Sequence, residues 1–264
     1  MLLVGSAIFA PLLTSHDPAF SYRRDGLTAN GDPLGPGGAF ILGTDRQGRD
    51  YFARLVYGAR VSLGIGIGAN LIAVSLGLAV GLVAGYAGGR VESLLMRTTD
   101  VMLAFPVLLL SIALVAVVGA SFWLILAIIA LFLWTPTARI VHGRVLSIKE
   151  HEFVEAARAA GATPARIVLR HVLPHVMPVI EVYAALGIAA AILFEATLSY
   201  LGVGVPPPTP SWGSMINEHI SYYATDPRLV ALPGLAILFT ILSFNLLADA
   251  LRAASDPFHV RARP

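Results

Sequence analysis

Cysteine is absent from the 264 residues, which excludes disulfides, thiolate metal sites and a cysteine nucleophile and leaves the redox compartment open. Charge is scarce: 13% of the residues are Asp, Glu, Lys or Arg against 56% apolar, and the mean hydropathy is +0.76. A soluble domain of this length needs a charged shell, and long charge-free stretches leave too little material for one. Lipid is the solvent that fits this composition. Lysine is almost missing as well. The single one, Lys149, is followed by Glu150 and preceded by no glycine-rich turn, so the chain has no P-loop, whose lysine must reach the phosphates from such a turn. Any ATP hydrolysis must take place on another polypeptide. A net charge of +2 and a pI near 9.1 do not indicate nucleic acid, because the basic residues are spread along loops and most have an acidic neighbour.

What is present is a series of long apolar runs. A helix needs about 20 apolar residues to cross about 30 Å of hydrocarbon. Val61 to Gly89 carries no charge, and its glycines at 64 and 68, then 77, 81 and 85, recur at the four-residue spacing that lets helices approach closely. Val101 to Ala138 gives 38 uncharged residues, about twice a bilayer core at helical rise, with Gly119-Ala120-Ser121 near the middle; two helices joined by a tight turn are expected. Val176 to Tyr200, interrupted only by Glu181 and Glu195, and Leu229 to Ala248 are two further spans. Met1 to Leu13 is short for a crossing and has no Lys or Arg before its apolar run, which favours a first transmembrane helix over a signal peptide. The expectation is an all-α integral membrane protein of about six spans, a single transmembrane domain over residues 1–264. Residues 14–60 form an outer loop with an amphipathic segment, 142–175 an inner loop and 201–228 an outer proline-rich loop.

With both termini inside, the inner segments hold eleven Lys or Arg and the outer ones seven, which follows the positive-inside bias. Six of the outer arginines precede the second span, accompanied by five aspartates; long translocated loops are partly exempt from the rule.

The inner loop HGRVLSIKEHEFVEAARAAGATPARIVLRHVLPH, from His142 to His175, reads as two short helices. Glu150 to Ala160 is rich in helix formers, Gly161 is placed to end that helix in a left-handed conformation, and Thr163-Pro164 supplies a cap followed by proline at the first helical position. The second helix is expected from Pro164 to about Leu173, stopped by Pro174. Such a helix-turn-helix is a rigid knob on the membrane face that can pass a push from a docked partner into the next span.

Here the chain resembles the membrane subunits of binding-protein-dependent ABC importers, marked by Glu-Ala-Ala, three residues, Gly, nine residues, Ile, any residue, Leu-Pro. Glu155-Ala156-Ala157, Gly161 and Leu173-Pro174 match at that spacing, and His171 stands in the Ile position. GTDRQGRDYFARLVYGARVSL (Gly43 to Leu63) and LSYLGVGVPPPTPSWGSMI (Leu198 to Ile216) are similar to segments of the dipeptide, oligopeptide and nickel permease branch, in its second, C-type permease subunit. The resemblance covers about residue 40 to the C-terminus. It implies the type I importer fold with a cytoplasmic coupling helix-turn-helix, in the prokaryotic inner membrane. It also implies a second homologous permease, two P-loop ATPase subunits carrying ATP and Mg, and an extracytoplasmic substrate-binding protein. This chain itself would carry no cofactor. The loop of Glu155, Ala156, Ala157, Gly161, Leu173 and Pro174 would dock into the ATPase.

Other residues leave two readings open. Asp45, Arg49 and Asp50, in the segment Gly43 to Arg60, and Pro207 and Trp212, in the outer loop, either brace the outer face or form an outer gate and binding-protein contact. Gly43 to Arg60 itself reads as an amphipathic interfacial helix. Glu195 in an apolar helix is either a proton relay or a helix or loop anchor, and the lack of a His or Lys in the spans favours the anchor. Asn70, Asn245 and Asp249 are interhelical hydrogen-bonding groups or path-lining groups. The seven histidines are scattered and indicate no metal site. A self-sufficient secondary transporter or channel is the main rival; it would show internal repeats or midplane charges, and no repeat is found. An intramembrane enzyme would need a paired nucleophile and base or a metal cluster within the spans, and the spans offer neither.

Overall fold

The computed structural model describes Gly5 and residues 7–255, and among these the regular structure is helical. In chain order the helices are α1 Ala10–Leu13, α2 Tyr51–Ala87, α3 Gly89–Ala104, α4 Val107–Val118, α5 Phe122–Ile148, α6 Glu152–Ala159, α7 Pro164–Ile167, α8 Leu173–Tyr200, α9 Trp212–His219 and α10 Arg228–Ser255. The long segment before α2 is irregular; it is pinned by isolated bridges, such as Thr44 to Asp50, and by side-chain bonds such as those from Arg228 to the Leu34 and Leu42 carbonyls.

Among the described residues four helices are long and apolar enough to cross a membrane: α2, α5, the run from Pro164 through α8, and α10. Helices α3 and α4 are long and apolar enough only when taken together, and they meet at an angle of 81°. Proline is the physical reason: Pro106 pushes the preceding residue out of the helical region, and Phe105 is extended at φ −78°, ψ 137°. The expected pair of helices between Val101 and Ala138 therefore starts later than the charge pattern suggests, though the turn falls at residues 119–121 as expected. The expected first span, Met1 to Leu13, lies partly outside the described residues.

Two other expectations are corrected. Gly43 to Arg60 is not an interfacial helix: residues 43–50 form a turn closed by Asp45, and from Tyr51 the chain runs unbroken into the second span as α2. Nor does Pro174 stop a helix. A wide π turn over Val168–Val172 carries α7 into α8, with the Leu173 N–H reaching back to the Val168 carbonyl, and Pro174 takes the second position of α8, where its ring replaces a donor that the regular ladder would have used.

The chain divides into two compact units. One comprises residues up to Ile67 with Ser111–Leu126 and Ile192–Ser243; the other comprises Gly68–Leu110, Ala127–Ala191 and the chain from Phe244. In the second unit α2 lies close along α5. A side chain at Gly77, Gly81 or Gly85 would meet Trp134, Val141 or Val145 within 2.5–2.7 Å, so the four-residue glycine spacing is what permits this packing.

Candidate functional site

In the second unit the loop between α5 and α8 folds as a knob fixed to the ends of the long helices. Its helix α6 begins with Glu152 and Glu155 in the first turn, where carboxylates favour the positive end of the helix dipole. Gly161 takes φ +80° just after the helix, a conformation that only glycine adopts without strain. Thr163 then caps α7 by accepting a hydrogen bond from the Arg166 N–H, and Pro164 occupies the first helical position. Both cap features follow the pattern read from the sequence.

One face of the knob is apolar and buried. Val154, Ile167 and Val172 join Leu82, Val141, Val145, Ile148, Val176 and Ile180 in a single cluster, with Ala157 and Leu173 packed against it. The other face is free: Glu155, Ala156, Arg158, Ala159, Ala160 and Gly161 are exposed. Pro174 is exposed and His171 is half-buried, so the histidine in the apolar position of the motif keeps one edge in solvent. The result is a rigidly based surface of small side chains beside a carboxylate. It suits docking and holds no catalytic pair.

In the first unit two of the arginines around the start of α2 are interior, while Arg46 and Arg60 stay exposed. Arg54 is fully buried and Arg49 nearly so, and they converge on two acids. The Arg49 Nε donates to the Asp45 Oδ2 at 2.6 Å and its Nη2 to the Glu218 Oε2 at 2.5 Å, while the Arg54 Nη2 donates to both Glu218 oxygens at 3.0 and 2.9 Å. Asp50 caps α2 by accepting from the Phe52 and Ala53 N–H groups and lies 2.5 Å from the His16 Nδ1. His219 closes the group; burial pushes its imidazole below the ordinary range, and its Nδ1 bonds the Met215 carbonyl. The ligand atoms of Asp45, Glu218 and His219 lie within 4.8 Å of one another, yet the two carboxylates are already engaged by two guanidinium groups, which a cation would have to displace.

A second buried group ties the loop between α8 and α10 to the spans. The Glu195 carboxylate accepts from the Ser62 Oγ at 2.8 Å and the Ser199 Oγ at 2.7 Å, the Ser62 Oγ accepts from the Trp212 N–H at 3.3 Å, and the Trp212 indole donates to the Leu55 carbonyl at 3.0 Å. Ser211 caps α9 in a reciprocal capping box with Ser214. The structure thus places Asp45, Arg49, Asp50 and Trp212 in the buried framework, and Pro207 alone of these five on the surface. Glu218 and Ser62 went unnoticed in the sequence; a carboxylate following a capped turn gave no periodic signal. Asn70 is buried and its Nδ2 donates to the Ala184 carbonyl at 2.8 Å, while Glu181, Asn245 and Asp249 are exposed.

Comparison with known proteins adds the following. The family described as "Binding-protein-dependent transport system inner membrane component" matches residues 77–259. The chain is 39% identical over 257 residues to a glutathione transport system permease protein of Pectobacterium atrosepticum, covering 97% of this chain and 84% of that protein. It is 42% identical to a dipeptide transport system permease protein of Alkalihalophilus pseudofirmus (95% and 81% covered) and 40% identical to a di/tripeptide permease protein of Pseudomonas aeruginosa (97% and 85%). Among solved structures, an inward-facing MetNI methionine ABC transporter chain is similar in fold, with a TM-score of 0.66 at 18% identity over 78% of this chain and 98% of that one.

Proposed function

The chain belongs to the family of binding-protein-dependent transport system inner membrane components, the permease subunits of ATP-driven importers, and we propose that what it passes across the membrane is a small peptide. The observation that carries the substrate class is the identity of about 40% over nearly the whole chain to permeases named for dipeptides, di- and tripeptides and glutathione. A permease of this family works with an ATPase and a substrate-binding protein, and membership sets aside the self-sufficient secondary transporter. In the arrangement we propose, this chain pairs with a second homologous permease around one path. Two P-loop ATPase subunits carry ATP and Mg on the cytoplasmic side, where both termini lie, and an extracytoplasmic binding protein delivers the peptide.

The knob is the mechanical link in this reading. ATP can bias the permease only through contacts that differ between its conformations, and the exposed Glu155-Ala156-Ala157 face on a fixed apolar base supports that role. Gly161 sets the turn that presents this face, and Leu173 and Pro174 join the knob to α8. In the first unit, Asp45, Arg49, Asp50 and Trp212 act from within, holding the loop surface that includes Pro207 in the shape the gate or binding protein meets.

The test uses the complete transporter purified with whatever subunits accompany this chain. Gly161→Val places a β-branched residue at φ +80° with nothing within 4 Å to clash, so its effect is confined to the turn, at about 1–3 kcal/mol of local strain. It and Glu155→Lys are expected to cut peptide uptake at least tenfold while the complex still assembles and hydrolyses ATP. Full uptake in both variants would remove the knob from the mechanism, and copurification without any P-loop subunit would remove the ATPase partnership.

A further inference from the structure

The second unit contains a cavity of about 470 Å³ lined by Arg144, Arg252, Tyr183, Ser255, Val179 and Val182 among others. Three helices meet there: α5 brings Arg144, α8 brings Tyr183 with the two valines, and α10 brings Arg252 and Ser255. Two cations face one space, and no carboxylate among the described residues lines it. The acids nearest in sequence, Glu181 and Asp249, are exposed and do not line the cavity. In the same unit Arg139 pairs with Asp100 at 2.5 Å and His142 lies 2.7 Å from Glu92, whereas Arg90, Arg97, Arg158, Arg166 and Arg170 are exposed cations that do not line this cavity. Arg144 and Arg252 have no such partner among the described residues.

Depth supplies the second argument. Arg144 stands six residues past Ala138, where one uncharged run ends, and Arg252 stands four past Ala248, where another ends. At about 1.5 Å per residue those offsets are roughly 9 and 6 Å, which puts Arg252 within the headgroup layer of about 5–8 Å on each side of the hydrocarbon and Arg144 just past its outer edge, within reach of it by its long side chain. Pro178, Val179 and Val182 give the cavity an apolar lining, and Tyr183 and Ser255 bring two hydroxyl groups to it. A phosphate diester with hydrocarbon attached matches this combination of charge, depth and apolar lining, and basic pockets between spans are where such headgroups are held.

We propose that this cavity is a binding site for an anionic membrane phospholipid, with the headgroup phosphate between Arg144 and Arg252 and the acyl chains along Val179 and Val182. Only the embedding of the chain in a bilayer is required, so the site stands or falls apart from the peptide substrate. Because Arg144 and Val179–Tyr183 flank the knob in sequence, a lipid seated here touches the base of the element that couples to the ATPase.

The experiment exchanges the purified complete transporter through vesicles of phosphatidylcholine doped with phosphatidylglycerol and reads the retained phospholipid by native mass spectrometry. The parent is expected to keep phosphatidylglycerol, and the double change Arg144→Gln with Arg252→Gln to lower its occupancy roughly tenfold or more. Ser255→Trp, which fills the cavity while leaving both charges, is expected to lower it as well and keeps the test open should the double variant fail to assemble. Arg90→Gln with Arg97→Gln removes the same charge from two positions, exposed like Arg144 and Arg252, that do not line the cavity and is expected to retain the lipid. Unchanged retention in the cavity variants, or equal loss in the control pair, overturns the site. Displacement by inorganic phosphate as readily as by added phosphatidylglycerol identifies a free-anion site and overturns the lipid assignment.

Discussion

A lone carboxylate in an apolar helix is costly unless its lone pairs are met, and Glu195 meets that condition with two serine hydroxyls, one from α2 and one from its own helix. Its neighbours lead to Trp212 rather than to a second titratable group, which is the geometry of an anchor. Arg54 illustrates a different balance: its Nε and Nη1 lack hydrogen-bond partners although the side chain is fully buried, so it is retained by charge, with Glu218 on one edge and Asp45 3.4 Å away on another. The sharpest residue-scale consequence concerns Gly81. A Cβ there would lie 2.5 Å from the Val141 Cβ and 2.7 Å from the Ala138 carbonyl oxygen, and a backbone oxygen cannot turn aside. Gly81→Ala gains up to about 1 kcal/mol of helix propensity but must spread α2 from α5, and overpacking of this kind costs about 1–3 kcal/mol. The variant is expected to melt several degrees below the parent in detergent. Gly143→Ala, with open space at its Cβ, is expected to melt at or above the parent. Equal melting of the two variants would show that the helices do not approach this closely.

At the scale of elements, the knob was the most legible part of the chain, because each of its boundaries is set by local chemistry: the left-handed Gly161, the Thr163 cap and Pro164. What the local pattern could not show is how α7 ends. Pro174 reads as a stop to any rule based on adjacent residues, and a π turn that widens the helix just ahead of it depends on Ile167 and Val172 being held in the apolar cluster. The same limit hid the ionic group before α2, since arginines at 49 and 54 have the spacing of a surface helix and only Glu218, far along the chain, makes them interior. If the cluster fixes the knob, Ile167→Ala should release it locally, with a loss of about 2–4 kcal/mol. Leu169→Ala, two residues away and 61% exposed, should change little. Hydrogen exchange checks both: Ile167→Ala is expected to unprotect residues 152–172 while α5 stays protected, and equal exchange in the two variants would mean that the knob is not held by this core.

For the whole molecule the charge-free runs located the spans, because in lipid a helix is the only way to satisfy every backbone group along a single crossing. They could not decide what the bent pair does, since composition does not register an 81° break. Helix α4 has 12 residues, about 18 Å at helical rise against about 30 Å of hydrocarbon, so it crosses only if part of α3 or the extended link serves the same span. Counting the pair as one crossing puts the turn at 119–121 on the side opposite both the α2–α3 junction and the knob; counting it as a re-entrant hairpin puts the turn on the junction's side and, because α5 still crosses, leaves the knob opposite both. The outer-loop reading of 201–228 requires the first count. Because the chain has no cysteine, single cysteines report sides without background. Ala120→Cys and Thr209→Cys are expected to react with a membrane-impermeant maleimide from outside intact cells. Arg90→Cys and Ala156→Cys, at exposed positions, are expected to react only after permeabilisation. Should Ala120→Cys be protected together with Arg90→Cys while Ala156→Cys labels from outside, the bent pair does not cross, and the sides of every later segment must be assigned again from α5 onward.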